Sequence, residues 1–212
     1  MTDFAARERL VKICGVTSVD DALVVRDAGA DALGVIFATS KRHVGAQLAR
    51  DIVTASAGIT HVGVFRNDVS EFVVAMVEAS GVDVIQIHGP LEDTLLEELR
   101  ARGLGVIKAL GVGTNEFFEF DEARVDAVLL DGLEPGSGRE HSWEALAERH
   151  FKVPVIAAGG LSVQNVQNVI ERVRPWGVDV ATGVESSPGV KDRAQVTKFV
   201  QMATTTLRGP ST

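Results

Sequence analysis

Cysteine is nearly absent from this chain of 212 residues, in which Cys14 is the only one. A disulfide within the chain and a cluster of metal-binding thiolates are therefore excluded. Basic residues are outnumbered too. The chain has 21 lysines and arginines and 29 acidic residues, which together give a net charge of -8. Proteins that bind nucleic acid need a basic face, so this balance disfavours a nucleic-acid partner and still permits a small anionic ligand.

Long apolar runs are lacking too. The stretch Leu33–Ala38 is far too short to span a bilayer, and the mixed charge of residues 1–10 does not resemble a secretory signal. We therefore expect a cytoplasmic protein with no membrane partner. No linker divides the chain, and 212 residues with 45% hydrophobic content predict one domain, 1–212. A glycine-containing segment after Asp131 is predicted to be a long functional loop.

Eight short apolar runs alternate with amphipathic stretches. The predicted strands are Leu10–Cys14, Ala32–Phe37, His61–Phe65, Val82–His88, Gly105–Leu110, Ala127–Asp131, Pro154–Gly159 and Val178–Thr182. Among the predicted helices are Val19–Ala28, Val69–Ser80, Leu91–Arg102 and Val163–Arg174. Strands that are apolar on both faces favour a parallel sheet covered by helices. The pattern predicts an α/β fold, a single-domain (βα)8 TIM barrel, with a doubly wound open sheet as the alternative.

An aspartate recurs beside the start of every second predicted strand. The four copies are Asp31, Asp83, Asp126 and Asp179. A glycine stands shortly before three of them, where a left-handed residue commonly ends a helix. This weak internal repeat of two βα units is typical of a barrel built from duplicated modules.

Barrels of this type build their functional sites at the C-terminal ends of the strands. The polar residues near those ends are Lys12, Cys14, Arg42, Arg66, Gln86, His88, Lys108 and Asp131. The two-residue period of a strand places Lys12 and Cys14 on the same side. We expect Gln86 and His88 to bind substrate or to complete a hydrogen-bond network at the mouth, and Arg66 and Lys108 are weaker candidates.

Glycine-containing turns follow the seventh and eighth predicted strands. Backbone N–H groups at Gly159 and Gly160, and at Thr182 and Gly183, are expected to bind a phosphate group, the recurrent use of these two loops in barrels. Residues 182–189 are expected to form a short extra helix that points at the same place. Ordinary turns and helix caps are the alternative interpretation.

An ordered set of motifs along the chain resembles the phosphoribosylanthranilate isomerase family. The motifs are Lys12-Ile-Cys-Gly15, Ser40-Lys-Arg42, Val62-Gly-Val-Phe65, Gln86-Ile-His-Gly89, Leu129-Leu-Asp131, Gly136-Ser-Gly138, Ala158-Gly-Gly-Leu161 and Gly183–Asp192. The resemblance implies an isomerase of tryptophan biosynthesis that converts an N-ribosyl aminoaldose to an aminoketose. It also implies a phosphorylated small-molecule substrate, no cofactor and no metal.

The resemblance assigns roles to individual residues. Cys14 matches the general base, Asp131 the general acid, and Arg42 the residue that binds the anthranilate carboxylate, a task suited to a guanidinium group. Three positions depart from the usual family pattern: His43, Ser137 and Thr182. Their size or hydrogen-bonding type is roughly retained, so the departures bear on substrate breadth more than on the reaction.

The chemistry sets requirements for the two catalytic side chains. The acid must stay protonated near neutral pH, and desolvation at the end of a buried strand is expected to raise the pKa of Asp131. The base must be a thiolate, so we expect the surroundings of Cys14 to lower its pKa or partly to match it, with Lys12 as the candidate cation.

Other functions remain open from the sequence. A lone cysteine in an apolar strand is usually a small core residue, and an aspartate that ends a strand often caps the next helix. A sugar isomerase of the histidine pathway runs the same rearrangement, and a dual-substrate isomerase would need room for a second phosphate. A non-catalytic barrel that binds a phosphorylated ligand is the alternative from another class, and the oligomeric state is not predicted.

Overall fold

The chain folds into a closed barrel of eight parallel strands. The computed structural model describes residue 4, residues 6–131 and residues 149–208. Each strand pairs with the next one along the chain, and β8 pairs with β1. The strands are β1 Leu10–Cys14, β2 Ala32–Ile36, β3 Thr60–Arg66, β4 Val84–His88, β5 Gly105–Gly111, β6 Ala127–Asp131, β7 Val155–Ala158 and β8 Gly177–Val180. The predicted (βα)8 barrel is confirmed, and closure excludes the doubly wound open sheet.

Helices cover the outside of the sheet. They are α1 Val19–Asp27, α2 Ala46–Ala55, α3 Ser70–Ser80, α4 Asp93–Ala101, α5 Asn115–Glu119, α6 Val166–Val173 and α7 Arg193–Arg208, with a 3₁₀ turn at Glu122–Arg124. Helix α6 begins later than predicted because the carbonyl of Ser162 accepts the N–H groups of both Asn165 and Val166, which makes residues 162–165 a capping turn. In the described part of the chain, no helix combines the length and the apolar character needed to cross a membrane.

Alternate residues of each strand face two different apolar cores. On β1, Leu10 and Cys14 pack in the core inside the barrel, whereas Val11 and Ile13 pack between the sheet and the helices. Successive side chains of a strand point to opposite faces, so the phase of this alternation decides which polar side chains enter the barrel. The inner core is small and includes polar neighbours, and the outer core holds most of the apolar side chains.

Three of the four repeated aspartates connect neighbouring strands at the N-terminal rim of the barrel. The carboxylates of Asp31, Asp83 and Asp126 each accept a backbone N–H from the preceding strand at 2.8 Å. The fourth copy, Asp179, is different because it lies within β8 and accepts a hydrogen bond from Lys12. Three copies of the repeat therefore connect strands at the N-terminal rim, which is opposite the C-terminal strand ends. The fourth copy places a charge inside the barrel.

The segment after β8 is a hairpin and not the short helix that we expected. Its strands are β9 Glu185–Ser187 and β10 Val190–Lys191, which pair antiparallel. The two residues between them are Pro188 and Gly189, and Gly189 has a φ of 86°. Proline followed by a residue of positive φ is typical of a tight type II turn, which reverses the chain where a helix would have continued it.

Candidate active site

The structure brings Cys14 and Asp131 to the same end of the barrel. Each is the last residue of its strand, β1 for the cysteine and β6 for the aspartate. On each strand a residue an even number of positions earlier faces into the barrel, Leu10 on β1 and Leu129 on β6, so Cys14 and Asp131 face inward as well. A thiol and a carboxyl group that are 117 positions apart in the sequence thus belong to the mouth formed by the C-terminal strand ends.

Cys14 lies in a tight and nearly closed environment. The residue is 6% exposed, and a methyl group added at Gly34 on β2 would come within 2.9 Å of the Cys14 sulfur. Burial raises the pKa of the Cys14 thiol, and the positive charge of Lys12 lowers it by less than burial raises it. The expectation of a lowered pKa is therefore wrong for this structure, although Lys12 acts in the expected direction.

Lys12 forms an ion pair inside the barrel, below Cys14. Its Nζ lies 2.9 Å from Oδ1 of Asp179, and the lysine side chain is fully buried. Burial alone would lower the pKa of Lys12, but the negative charges of Asp179 and Cys14 keep it above its ordinary value. Sequence reasoning missed Asp179 as a site residue because it counted this aspartate as one more copy of the strand-opening repeat.

Arg42 crosses the mouth next to Cys14. A Cβ at Gly15 would approach the Cδ atom of Arg42 to 2.5 Å, so the glycine provides the space in which the arginine stem lies. The guanidinium donates from Nε and Nη2 to the two carboxylate oxygens of Glu185, each at 2.7 Å, and from Nη2 to Thr182 Oγ1 at 3.1 Å. The predicted carboxylate-binding arginine thus lies in the site and already contacts one carboxylate of the chain.

A buried lysine connects this contact to the first strand. Nζ of Lys191 on β10 lies 3.0 Å from Oε1 of Glu185 and donates to the backbone carbonyls of Cys14 at 2.6 Å and Ala181 at 3.2 Å. Burial lowers the pKa of Lys191. Burial would raise the pKa of Glu185, but Arg42 and Lys191 hold it below its ordinary value. Neither Glu185 nor Lys191 was predicted as a site residue, although both stand in the last of the sequence motifs.

Gln86 and His88 share the inner face of β4 and contact each other. The amide Nε2 of Gln86 lies 2.8 Å from Nε2 of His88. Burial, together with the charges of Lys12 and Arg66, lowers the pKa of His88 to about 4. The ring is neutral at physiological pH, and its Nε2 accepts from Gln86 when the proton is on Nδ1. Gln86 Oε1 is buried and has no hydrogen-bond partner within the described residues.

Of the two weaker candidates, one lies away from the mouth and the other lies at it. Lys108 on β5 points out of the barrel, because the flanking Ile107 and Ala109 face inward, and its Nζ lies 2.7 Å from Glu116 on α5. The prediction that Lys108 lies at the mouth is therefore wrong. Arg66 ends β3 opposite His88 and is exposed at the rim.

The turns after β7 and β8 lie side by side. Gly159 and Gly160 have φ values of 86° and 65°, a conformation that favours glycine. Ser162 and Gly183 form a parallel bridge, and a Cβ at Gly183 would come within 2.0 Å of a backbone carbonyl oxygen of the turn after β7. The structure thus brings together the four residues predicted to bind phosphate, with Thr182 also bonded to Arg42.

Two features expected from the sequence fall on residues that the structure does not describe. The motif Gly136-Ser-Gly138, its Ser137 and the predicted long loop after Asp131 lie outside the described residues. Within residues 6–131 and 149–208, no three His, Cys, Asp or Glu side chains are grouped as metal ligands would be.

Sequence comparison finds relatives of this chain in a family of isomerases. Residues 11–202 match the family model described as N-(5'phosphoribosyl)anthranilate (PRA) isomerase. The N-(5'-phosphoribosyl)anthranilate isomerase of Rubrobacter xylanophilus is 41% identical over 203 residues, which cover 91% of this chain and 98% of the relative. The enzyme of the same name from Desulforudis audaxviator is 40% identical over 202 residues, 92% of this chain and 97% of the relative.

Solved structures agree with the sequence comparison. TrpF from Jonesia denitrificans superposes with a TM-score of 0.84 at 33% identity, and the match covers 96% of this chain and 100% of that one. A phosphoribosyl anthranilate isomerase in complex with reduced 1-(o-carboxyphenylamino)-1-deoxyribulose 5-phosphate has a TM-score of 0.77 at 32% identity, with coverage of 92% and 98%.

Proposed function

The chain belongs to the N-(5'-phosphoribosyl)anthranilate isomerase family, and on that basis we propose that it catalyses the Amadori rearrangement of tryptophan biosynthesis. The substrate is N-(5'-phosphoribosyl)anthranilate and the product is 1-(2-carboxyphenylamino)-1-deoxyribulose 5-phosphate. The observation that supports the proposal most is the presence of Cys14 and Asp131 at the inward-facing ends of two strands of one barrel mouth. Residues 1–212 would act as one cytoplasmic domain.

The first step opens the ribose ring. Protonated Asp131 donates its proton to the ring oxygen, the bond from that oxygen to C1′ breaks, and the lone pair of the anthranilate nitrogen forms a C1′=N bond. The product is an open-chain Schiff base with a cationic nitrogen. Because that nitrogen accepts the electrons released in the next step, C1′ is reduced and C2′ is oxidised within one molecule, and no external oxidant or reductant is needed.

The second step moves a proton on the sugar. The thiolate of Cys14 removes the proton from C2′, and the electrons of that C–H bond pass into the C1′=N system to give an enolamine. The enolamine then gains a proton at C1′ and loses the one on its C2′ hydroxyl, which gives the aminoketose. Lys12, whose Nζ is paired with Asp179 beneath Cys14, supplies the positive charge that favours the thiolate.

Other groups at the mouth would hold the substrate. We assign the anthranilate carboxylate to Arg42, and the phosphate to backbone N–H groups of Gly159, Gly160, Thr182 and Gly183 in the two adjoining turns. Gln86 Oε1, buried and without a protein partner in the described part of the chain, would accept a hydrogen bond from a sugar hydroxyl. Neutral His88 would hold the Gln86 amide in place.

The proposal is tested by turnover of the purified protein. The loss of phosphoribosylanthranilate fluorescence is followed beside an assay with the aminoimidazole aminoaldose of the histidine pathway. Turnover of the first substrate alone supports the proposal. Turnover of both would extend it to a dual-substrate isomerase. Binding of the phosphorylated substrate without turnover would contradict the proposal and would indicate a non-catalytic barrel that binds a phosphorylated ligand.

A further inference from the structure

Three charged side chains form a cluster that the reaction steps above do not use as a unit. We define the mouth cluster as Arg42 from the turn after β2, Glu185 from β9 and Lys191 from β10. The side chains of Glu185 and Lys191 are 3% and 0% exposed, and that of Arg42 is 20% exposed. The buried carboxylate is therefore shared between two cations at short range.

Glu185 determines which part of the Arg42 guanidinium is available to a ligand. A guanidinium group has five N–H bonds, on Nε, Nη1 and Nη2. Glu185 accepts from Nε and Nη2 at 2.7 Å, and Thr182 Oγ1 accepts from Nη2 at 3.1 Å. No described residue accepts a hydrogen bond from Nη1. The Nη1 edge is thus the part of Arg42 that is left for a carboxylate from outside.

Lys191 completes the electrostatic arrangement. One carboxylate and two cations give the mouth cluster a net charge of +1, so the cluster still attracts an anion although Arg42 is already paired. Nζ of Lys191 also donates to the carbonyl of Cys14 at 2.6 Å. The carboxylate that orients Arg42 is thereby connected through one ammonium group to the strand end that bears the proposed base.

We propose that Glu185 is a positioning residue for substrate recognition, and that it acts through Arg42. Its carboxylate fixes the guanidinium so that the Nη1 edge meets the aromatic carboxylate of the substrate, while Lys191 keeps the cluster cationic and fixes it to the Cys14 strand. This inference rests on the proposed function, because it takes Arg42 to be the group that binds the substrate carboxylate.

The test compares two ligands that differ only in that carboxylate. The first is reduced 1-(o-carboxyphenylamino)-1-deoxyribulose 5-phosphate, and the second is the same compound with an unsubstituted phenyl ring. Their Kd values are measured by calorimetry with the wild type, E185Q and the control E116Q, in which Glu116 pairs with Lys108 outside the barrel. Glutamine keeps the shape of Glu185 and turns one of its two acceptors into a donor that faces the guanidinium.

We expect the wild type and E116Q to bind the carboxylate ligand at least about tenfold more tightly than its phenyl counterpart, as a charge-assisted hydrogen bond allows. In E185Q the Kd of the carboxylate ligand should rise about tenfold while that of the phenyl ligand stays the same. A second variant, E185Q/K191M, removes two opposite charges together and leaves no unpaired buried lysine, so it keeps the test valid if E185Q unfolds.

The outcomes separate this inference from the proposed function. If the wild type binds both ligands equally, Arg42 does not bind the carboxylate. The role given to Arg42 in the proposed function and the positioning role of Glu185 are then both wrong. If the wild type discriminates and the folded Glu185 variants discriminate equally well, only the positioning role is wrong. Equal losses for both ligands in a folded variant would indicate a purely structural role and would also overturn the inference.

Discussion

The space around the proposed base can be probed by adding one methyl group. Gly34 on β2 pairs with Cys14 on β1, and a Cβ at Gly34 would lie 2.9 Å from the Cys14 sulfur and 3.3 Å from Cε of Lys12. An ordinary nonbonded contact is about 3.5–4.0 Å. In G34A the sulfur or its strand must therefore move by roughly 0.5–1 Å.

That displacement leads to two separate expectations. Overpacking of a filled core costs about 1–3 kcal/mol of stability. A catalytic group displaced by about 1 Å can lose about 100-fold in rate. We therefore expect kcat of G34A to fall by roughly 10- to 100-fold, because the thiolate no longer lies on the path of the C2′ proton. Binding of reduced 1-(o-carboxyphenylamino)-1-deoxyribulose 5-phosphate should change much less, since Gly34 lies beside Cys14 on the neighbouring strand and outside the phosphate turns.

The assay combines kcat from the fluorescence decrease with the free energy of unfolding from urea titration. The matched control is G45A: Gly45 also has an ordinary φ, -81°, and its added Cβ would meet no atom within 4 Å. We expect the control to keep the wild-type kcat. A G34A enzyme with the stability loss but full kcat would refute the placement of Cys14 as the base.

Two further predictions follow from the charges. Because the rate needs Cys14 as the thiolate and Asp131 protonated at the same time, kcat/KM should follow a bell-shaped pH profile. Burial raises the pKa of Cys14, so the limb that belongs to the thiol should lie above the ordinary thiol pKa; a profile with no limb there would contradict this. Burial would raise the pKa of Asp83, but its hydrogen bonds with His61 outweigh burial and lower it. The carboxylate therefore stabilises the fold at any pH above its unfolded pKa of about 3.9. This stabilisation is lost as the pH falls through the lower pKa of the folded state. In D83N the free energy of unfolding should drop by about 1 kcal/mol at pH 7, the deficit should shrink at pH 3, and kcat should be unchanged.

The barrel could be predicted because its signals are local. Strand runs, intervening amphipathic helices and strand ends are visible in the sequence, and the positions of Cys14 and Asp131 at strand ends follow from them. The phase of alternation was harder to predict, because a strand that is apolar on both faces does not indicate which face is inside. Lys108 was misplaced for this reason, whereas Lys12 shares the phase of Cys14 whichever face that is.

The contacts between distant segments could not be predicted. Lys12 and Asp179 are 167 positions apart, and Arg42 and Glu185 are 143 apart. Both ion pairs arise only when β8 closes against β1 and the β9–β10 hairpin folds over the mouth. The raised pKa of Cys14 also depends on closure of the barrel. The sequence indicated that Lys12 lies near Cys14, but it did not show that burial by the closed barrel outweighs the charge of Lys12.

The central claim is that one thiol and one carboxyl group at a shared mouth carry out the two proton transfers. The most direct test measures kcat of C14A and D131N together with the Kd of reduced 1-(o-carboxyphenylamino)-1-deoxyribulose 5-phosphate. We predict that each variant loses about 10²- to 10⁴-fold in kcat, the typical share of a general acid or base, while it binds the ligand within a few-fold of the wild type. Near-normal turnover by either variant would contradict the account.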